Sequence, residues 1–289
     1  MKHKTVSLVL GSGGARGLAH IGVIQWLEQN GYRIRSIAGS SMGALVGGIY
    51  AAGELETYTR WVLALEQIDV LRLLDFSFRR SGLLKGEKVI ETLRDLIGDR
   101  AIESLPVSFT AVATAVQEEK EVWLNHGSLF DAIRASIAIP TVFTPVELHG
   151  RILVDGGLVN PVPIAPTLKD KTDLTIAVNL GAKAEPHLDV PHREVQPPGN
   201  SYRRHIARFI DSLQQRLGRG GDSEEMDVFQ VVTSSFETMQ NTIARFKLAA
   251  YSPDVVIDIP HNVCTFYEFY RAAELIELGR ERAEQAMAE

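Results

Sequence analysis

Residues 6–17 read Val6-Ser7-Leu8-Val9-Leu10-Gly11-Ser12-Gly13-Gly14-Ala15-Arg16-Gly17, a short apolar strand that runs into a glycine-rich turn. A helical pattern follows from Leu18 to Gln29. Backbone N–H groups at the start of a helix have no partner within that helix, so a turn of this kind is suited to binding negative charge. The stretch predicts a strand–turn–helix unit of an α/β fold, with an anion-binding loop at the turn.

A second glycine-rich turn has the same context and carries a serine. The strand Ser36-Ile37-Ala38 is followed by Gly39-Ser40-Ser41-Met42-Gly43, and a helix is predicted to begin at Met42. Gly-x-Ser-x-Gly between a strand and a helix is the pattern of a nucleophile elbow, in which the serine hydroxyl stands exposed at the end of the sheet. Ser41 is therefore the candidate nucleophile. The alternative is that Gly39 and Gly43 serve only close packing and that Ser41 caps the helix.

The third motif is an aspartate followed by two glycines, in Arg151-Ile152-Leu153-Val154-Asp155-Gly156-Gly157. Asp-Gly between two apolar runs is a common hairpin turn, and that interpretation stays open at this point. In the functional interpretation Asp155 ends a strand, where ligands of open α/β sheets bind. It would then serve as the base for Ser41, with Gly156 and Gly157 permitting close approach.

The first loop has two possible ligands. A dinucleotide fingerprint, Gly-x-Gly-x-x-Gly from Gly11, would need a third glycine where Arg16 stands, and no acidic residue closes a second strand about twenty residues on. The loop suits a small developing oxyanion better. We expect the backbone N–H groups of Gly13, Gly14 and Ala15 to be the donors, while Arg16 braces the loop or adds positive charge.

The remaining pattern alternates strands and amphipathic helices, which predicts one α/β domain with a mainly parallel sheet. The expected strands are 5–10, 34–38, 107–114, 121–124, 151–154, 174–179 and 254–259. The expected helices are 18–29, 42–52, 55–65, 86–97, 129–136, 224–249 and 266–286.

One segment of the chain has a different composition. Residues 182–202 contain four prolines and little apolar content, which is typical of an exposed loop. Arg203–Leu217 follows as a basic amphipathic helix, and glycines end this region at about residue 221. This helix is a candidate lid or membrane-docking element; the alternative is an ordinary helix packed on the core.

Bulk composition excludes several classes of protein. The 289 residues are 45% hydrophobic and 23% charged, as in ordinary globular proteins, and a net charge of −6 argues against nucleic acid as a partner. Cys264 is the one cysteine, so no internal disulfide forms. The first apolar run is too short for a secretory signal, and no apolar run is long enough to span a membrane. We expect a cytoplasmic protein, with peripheral membrane contact left open.

Together the three motifs, in this order and spacing, closely resemble the patatin-like phospholipase family. The segment Arg134-Ala135-Ser136-Ile137-Ala138-Ile139-Pro140 is similar to that family's helix ending in Ser-x-x-x-Pro. The resemblance covers residues 5–180, and it points to the compact bacterial members related to the esterase domain of neuropathy target esterase.

This resemblance implies a three-layer α/β fold with a mainly parallel central sheet flanked by helices. Residues 5–180 would form the catalytic core and residues 181–289 would complete the same domain. It also implies a Ser41–Asp155 dyad with an oxyanion loop at Gly13–Arg16, acting through an acyl-enzyme on lipid carboxylic esters such as phospholipids or lysophospholipids. No metal and no cofactor are implied.

Four alternatives remain open at this stage. A Ser-Asp-His triad would take its histidine from His187, His192, His205 or His261, which follow Asp155 in the chain; His20 is expected to have a packing role. His187, Asp189 and His192 would form a metal site only if they were not part of a solvated loop. The same acyl-serine also suits an acyltransferase. A non-catalytic regulatory or scaffold protein on this fold is the alternative of a different class.

Overall fold

The structure is a computed structural model that describes residues 4–66, 69, 86–140, 142–186 and 228–288. These residues form an eight-stranded sheet. Its strands are β1 (Thr5–Leu10), β2 (Arg33–Ser40), β3 (Ser108–Ala115), β4 (Lys120–Leu124), β5 (Val146–Leu148), β6 (Arg151–Asp155), β7 (Leu174–Ala182) and β8 (Val255–Pro260). The α-helices are α1 (Ala19–Gln29), α2 (Met42–Ala51), α3 (Leu55–Leu63), α4 (Glu87–Ile97), α5 (Leu129–Ser136), α6 (Val228–Tyr251) and α7 (Ala272–Ala288).

The sheet is parallel at its centre and antiparallel at one side. The strand order is β5-β6-β3-β2-β1-β7-β8, and β4 pairs with β3 outside this path. Neighbours from β3 to β8 along the path are parallel, whereas β6 and β4 run antiparallel to β3, and β5 runs antiparallel to β6. This mixed, mostly parallel arrangement confirms the predicted α/β class.

Helices cover both faces of the sheet because the central strands are apolar on both sides. In β1, Leu8 and Leu10 join the main core beneath the helices, while Val9 points to the opposite face. There Val9 packs with Ala177 of β7 and Ala244 of α6 in a second, smaller cluster. A near-continuous apolar run is what a parallel strand buried on both faces requires.

The chain after residue 228 contributes to the same sheet and core. Strand β8 pairs in parallel with β7, and α7 lies against α1 so closely that a Cβ on Gly22 would collide with the Ile276 carbonyl oxygen. The helix predicted from residue 266 begins at Ala272 instead. The Phe266 carbonyl accepts a hydrogen bond from Ala15 N–H (3.0 Å), and the Glu268 carboxylate accepts one from Thr265 N–H (2.6 Å), so these residues form a loop.

The sequence prediction missed one strand, β5, and two predicted segments fall wholly or mostly outside the described residues. Strand β5 was not predicted, because its three residues show too short a pattern to distinguish a strand from a loop. The proline-rich segment beyond residue 186 and the basic helix Arg203–Leu217 lie outside the described residues. Among the helices that the structure describes, none combines the length and apolar character needed to cross a bilayer.

Candidate active site

Ser41 occupies a sharp turn between β2 and α2. Strand β2 ends at Ser40 and α2 begins at Met42, and Ser41 has φ 55° and ψ −122°, a strained conformation for a residue with a side chain. Its side chain makes no capping hydrogen bond to α2, which argues against a simple capping role. The turn is tight because Gly43 rests on β1; a Cβ there would collide with the Leu10 carbonyl oxygen.

Asp155 lies beside the elbow that carries Ser41, at the end of a strand, β6, that runs in the direction opposite to β2. Strand β3 pairs with β2 as far as Ser40↔Val112, and with β6 from Ala113↔Asp155 onward. Since β4 pairs with residues 111–115 of β3 on its other side, β2 and β6 occupy one edge of β3 and meet there end to end. The register therefore brings Asp155, the last residue of β6, to the elbow that follows β2.

The Asp155 carboxylate is buried, and only one of its two oxygens accepts a hydrogen bond from the described residues. Oδ1 accepts a hydrogen bond from Gly157 N–H (2.7 Å), whereas Oδ2 has no partner among the described residues. Burial raises the pKa of Asp155 to about 7, against the opposing effects of the Ser41 hydroxyl and the Gly157 N–H. The Ser41 hydroxyl is thus near enough to lower this pKa, yet it does not form a hydrogen bond of regular geometry. Such bonds are commonly long or misaligned before substrate binds.

The hairpin alternative for Asp155-Gly156 is excluded. A short 3-10 helix, Gly156–Leu158, follows Asp155, and the next strand, β7, begins only at Leu174. Gly156 is required for a close approach, since a Cβ on it would collide with the Val112 carbonyl oxygen of β3. Gly156 therefore lets the turn after Asp155 lie directly against β3.

The loop after β1 is fixed by hydrogen bonds on most of its peptide groups. Ser12 N–H donates to the Pro161 carbonyl (2.9 Å), and Ala15 N–H donates to the Phe266 carbonyl (3.0 Å). The expectation of Ala15 as an oxyanion donor therefore needs correction, because its N–H already has an acceptor. Gly13 and Gly14 keep N–H groups without an acceptor in the described part of the chain, and Gly14 adopts φ +56°, which favours glycine.

Arg16 braces this loop from outside. Its side chain is 10% exposed and donates to the Gly13 carbonyl (Nε, 3.1 Å) and to the His261 carbonyl (Nη1, 2.7 Å). The guanidinium also lies 3.5 Å from Glu237 of α6. Because carbonyl and N–H point in opposite directions across a trans peptide, the bond to the Gly13 carbonyl fixes the direction of the Gly14 N–H.

His20 supports the same loop and is not placed to act as a base. It is fully buried, its Nε2 lies 2.9 Å from the Gly11 carbonyl oxygen, and burial lowers its pKa to about 4. The ring is therefore neutral above that pH, and Nε2–H donates to the carbonyl. His261 directs its Nδ1 to the Ala182 carbonyl (2.9 Å). His187, His192 and His205, with Asp189, lie outside the described residues.

Sequence reasoning assigned no role to several residues that shape the site. Ser136 accepts a hydrogen bond from Ser41 N–H (3.0 Å), and Thr114 donates one to the Asp155 carbonyl (2.9 Å). Phe266 packs so closely on Gly14 that a Cβ there would meet its ring. The signal for Ser136 was present, since the Ser-x-x-x-Pro similarity includes it; Thr114 and Phe266 carry no local signal, because only tertiary packing brings them to the site.

Comparison with known proteins identifies the family of the chain. Residues 8–168 match the family model described as patatin-like phospholipase. An uncharacterized NTE family protein of Mycobacterium tuberculosis is 42% identical, over 98% of this chain and 91% of its own length. Lysophospholipase NTE1 of Candida glabrata is 29% identical over 62% of this chain, a match that covers only 11% of that larger protein. The structure of VipD from Legionella pneumophila superposes with a TM-score of 0.47 at 15% identity, covering 99% of this chain and 66% of that one.

The fold and the motifs define a lipid ester hydrolase of the α/β type, and the chain belongs to the patatin-like phospholipase family. Within that family it is similar over nearly its whole length to NTE family proteins, as the sequence resemblance predicted. The prediction of an enzyme is likewise confirmed at the level of the family.

Proposed function

We propose that the chain hydrolyses carboxylic esters of phospholipids or lysophospholipids through a Ser41–Asp155 dyad and an acyl-enzyme. One observation carries this proposal. The register of β3 brings together a serine on a strained elbow and a buried carboxylate that has an oxygen without a partner among the described residues. The similarity to a protein named a lysophospholipase supports the choice of substrate class.

The first step forms the acyl-enzyme. Asp155 takes the proton of the Ser41 hydroxyl as Oγ attacks the carbonyl carbon of the ester. The negative charge that develops on the carbonyl oxygen is stabilised by the N–H groups of Gly13 and Gly14. When the tetrahedral intermediate collapses, the protonated Asp155 gives its proton to the leaving alcohol.

The second step releases the fatty acid. Water attacks the acyl-serine carbonyl, Asp155 accepts a proton from that water, and the proton returns to Ser41 as the carboxylic acid leaves. A carboxylate with an ordinary pKa near 4 is a weak base for a hydroxyl. Burial that raises the pKa of Asp155 to about 7 makes it a stronger base while leaving a large fraction ionised at neutral pH.

Labelling with a fluorophosphonate tests the proposal, together with fatty-acid release from lysophosphatidylcholine and phosphatidylcholine. We expect the label on Ser41, with labelling and hydrolysis abolished in Ser41→Ala and strongly reduced in Asp155→Asn. The matched control is Ser40→Ala, which removes a neighbouring buried hydroxyl that has no hydrogen-bond partner among the described residues. A folded wild-type protein that neither reacts nor hydrolyses either lipid would refute the proposed activity.

A further inference from the structure

Ser136 lies at the junction of three elements of the site. It is the last residue of α5, it is wholly buried, and its hydroxyl makes two hydrogen bonds. Oγ accepts from Ser41 N–H (3.0 Å) and donates to the Val112 carbonyl of β3 (2.6 Å). Since Ser40 is the last residue of β2 paired with β3, opposite Val112, the hydroxyl extends the hydrogen bonding of the sheet into the elbow.

The elbow needs such a restraint because its backbone is strained. A non-glycine residue in a sparsely populated φ/ψ region persists only where its surroundings over-determine it. The Ser41 carbonyl is held by Leu45 N–H within α2 (3.0 Å), and the Ser41 N–H is held by Ser136. Of these two restraints, the second comes from a side chain and is therefore open to mutation.

The same segment of chain also holds Asp155. Two residues beyond Ser136, the Ala138 carbonyl accepts a hydrogen bond from Asp155 N–H (2.9 Å). Residues 136–138 thus bind the backbone N–H of both candidate dyad residues. Movement of this segment would change the separation between the Ser41 hydroxyl and the Asp155 carboxylate.

We propose that Ser136 is a positioning residue of the reaction, whose hydroxyl holds Ser41 in its reactive orientation toward Asp155. This inference rests on the proposed function. The hydroxyl acts through the Ser41 backbone and has no part in proton transfer, so its loss should lower kcat rather than weaken substrate binding. Misplacement of a reacting group by about 1 Å costs on the order of 100-fold in rate.

The test compares Ser136→Ala with Ser7→Ala, using a soluble nitrophenyl ester. Ser7 is an equally buried serine with two side-chain partners, Asp170 (2.9 Å) and Thr172 (2.8 Å), neither of which belongs to the site. At a temperature where both variants are folded, we expect Ser136→Ala to lower kcat by about 10- to 100-fold with KM within about twofold. Ser7→Ala should keep the wild-type kcat. Ser7→Ala should keep an activity midpoint near pH 7, whereas in Ser136→Ala the midpoint should move upward if at all, because the Ser41 hydroxyl lowers the pKa of Asp155 and its displacement removes that effect.

Ser136→Cys provides a second comparison if the alanine variant fails to fold. The thiol is close in size but a weaker hydrogen-bonding group, so a loss of kcat between wild type and the alanine expectation supports the positioning role. A kcat for Ser136→Ala, or for Ser136→Cys in its place, within twofold of that of Ser7→Ala overturns it. An inactive wild type that is not labelled at Ser41 would instead refute the proposed function, so the two failures are distinguishable.

Discussion

Replacing Asp155 by asparagine should stabilise the protein above neutral pH while removing the proposed base. The carboxylate is 3% exposed, accepts one hydrogen bond on Oδ1, and has no partner for Oδ2 among the described residues. An asparagine oxygen can keep the bond from Gly157 N–H, and a neutral amide carries no charge to bury.

The magnitude follows from the pKa of Asp155, which burial raises from 3.8 to about 7. Below pH 3.8 the group is protonated in both the folded and the unfolded chain and costs nothing. As pH rises toward 7 the unfolded chain releases its proton first, so the wild type loses stability throughout this window. Each pH unit corresponds to about 1.36 kcal/mol, so the full loss above pH 7 is roughly 4 kcal/mol.

Thermal unfolding at a series of pH values from 5 to 8.5 measures this effect. Within that range the stability gap between Asp155→Asn and wild type should widen by roughly 3 kcal/mol, or about 5 °C in Tm for a chain of this length. Any change in packing caused by the amide offsets the gap equally at every pH. The widening is therefore the quantity to compare.

Asp95→Asn on the exposed face of α4 is the matched control, because it makes the same substitution at a side chain that faces solvent. A gap for Asp155→Asn that stays flat, or a wild type that becomes the more stable protein at high pH, would refute the argument. Either result would mean that the Asp155 carboxylate is solvated or paired in the folded protein.

Three further predictions concern the reaction. The value of kcat/KM should rise about tenfold per pH unit below pH 7 and level off above it, because Asp155 must be ionised to act as a base; a pH profile of ester hydrolysis measures this. Gly14→Ala should lower kcat by at least about 100-fold, since the new methyl group meets the Phe266 ring and displaces a proposed oxyanion donor. Single-substrate kinetics measure the loss of kcat, and Tm measures any loss of stability. Arg16→Met should lower kcat, because the side chain that holds the loop after β1 is lost. Glu237→Gln should change kcat less than twofold, because the Glu237 carboxylate is 44% exposed and lies 3.5 Å from the Arg16 guanidinium. Equal losses of kcat in both variants would contradict this.

The strand and helix pattern was predictable where local signals are strong. The bounds of β1 and α5 agree with the sequence prediction. Strand β1 is an apolar run ended by glycine, and α5 begins after Ser128, which caps the helix because its hydroxyl accepts a hydrogen bond from Asp131 N–H. The predicted helix from residue 266 was wrong at its start for the opposite reason. The residues Phe266 and Glu268 are compatible with a helix, but tertiary hydrogen bonds engage them in a loop.

The candidate site was predictable in its residues but not in its geometry. Asp155 was expected near Ser41 because ligands of parallel sheets bind where the strands end. In fact β6 runs antiparallel to β3, so Asp155 arrives from the opposite direction and meets Ser41 across the junction of two strands. No local sequence pattern specifies that β6 pairs with the same edge of β3 as β2 does, starting at the residue of β3 where the pairing with β2 ends. The acceptor used by Ala15 N–H lies 251 positions away in the sequence, and was unpredictable for the same reason.

The junction of β2 and β6 along β3 explains how one site can combine a strained serine with a costly buried carboxylate. A strand that ended freely would let the elbow relax and would admit water to Asp155. Here both ends are paired with β3, and residues 136–138 hold the N–H groups of both Ser41 and Asp155. Strain at Ser41 and desolvation at Asp155 are thus balanced by hydrogen bonds of the central sheet rather than by a mobile loop. Weakening those bonds should therefore affect the rate of the reaction before it affects the affinity for substrate.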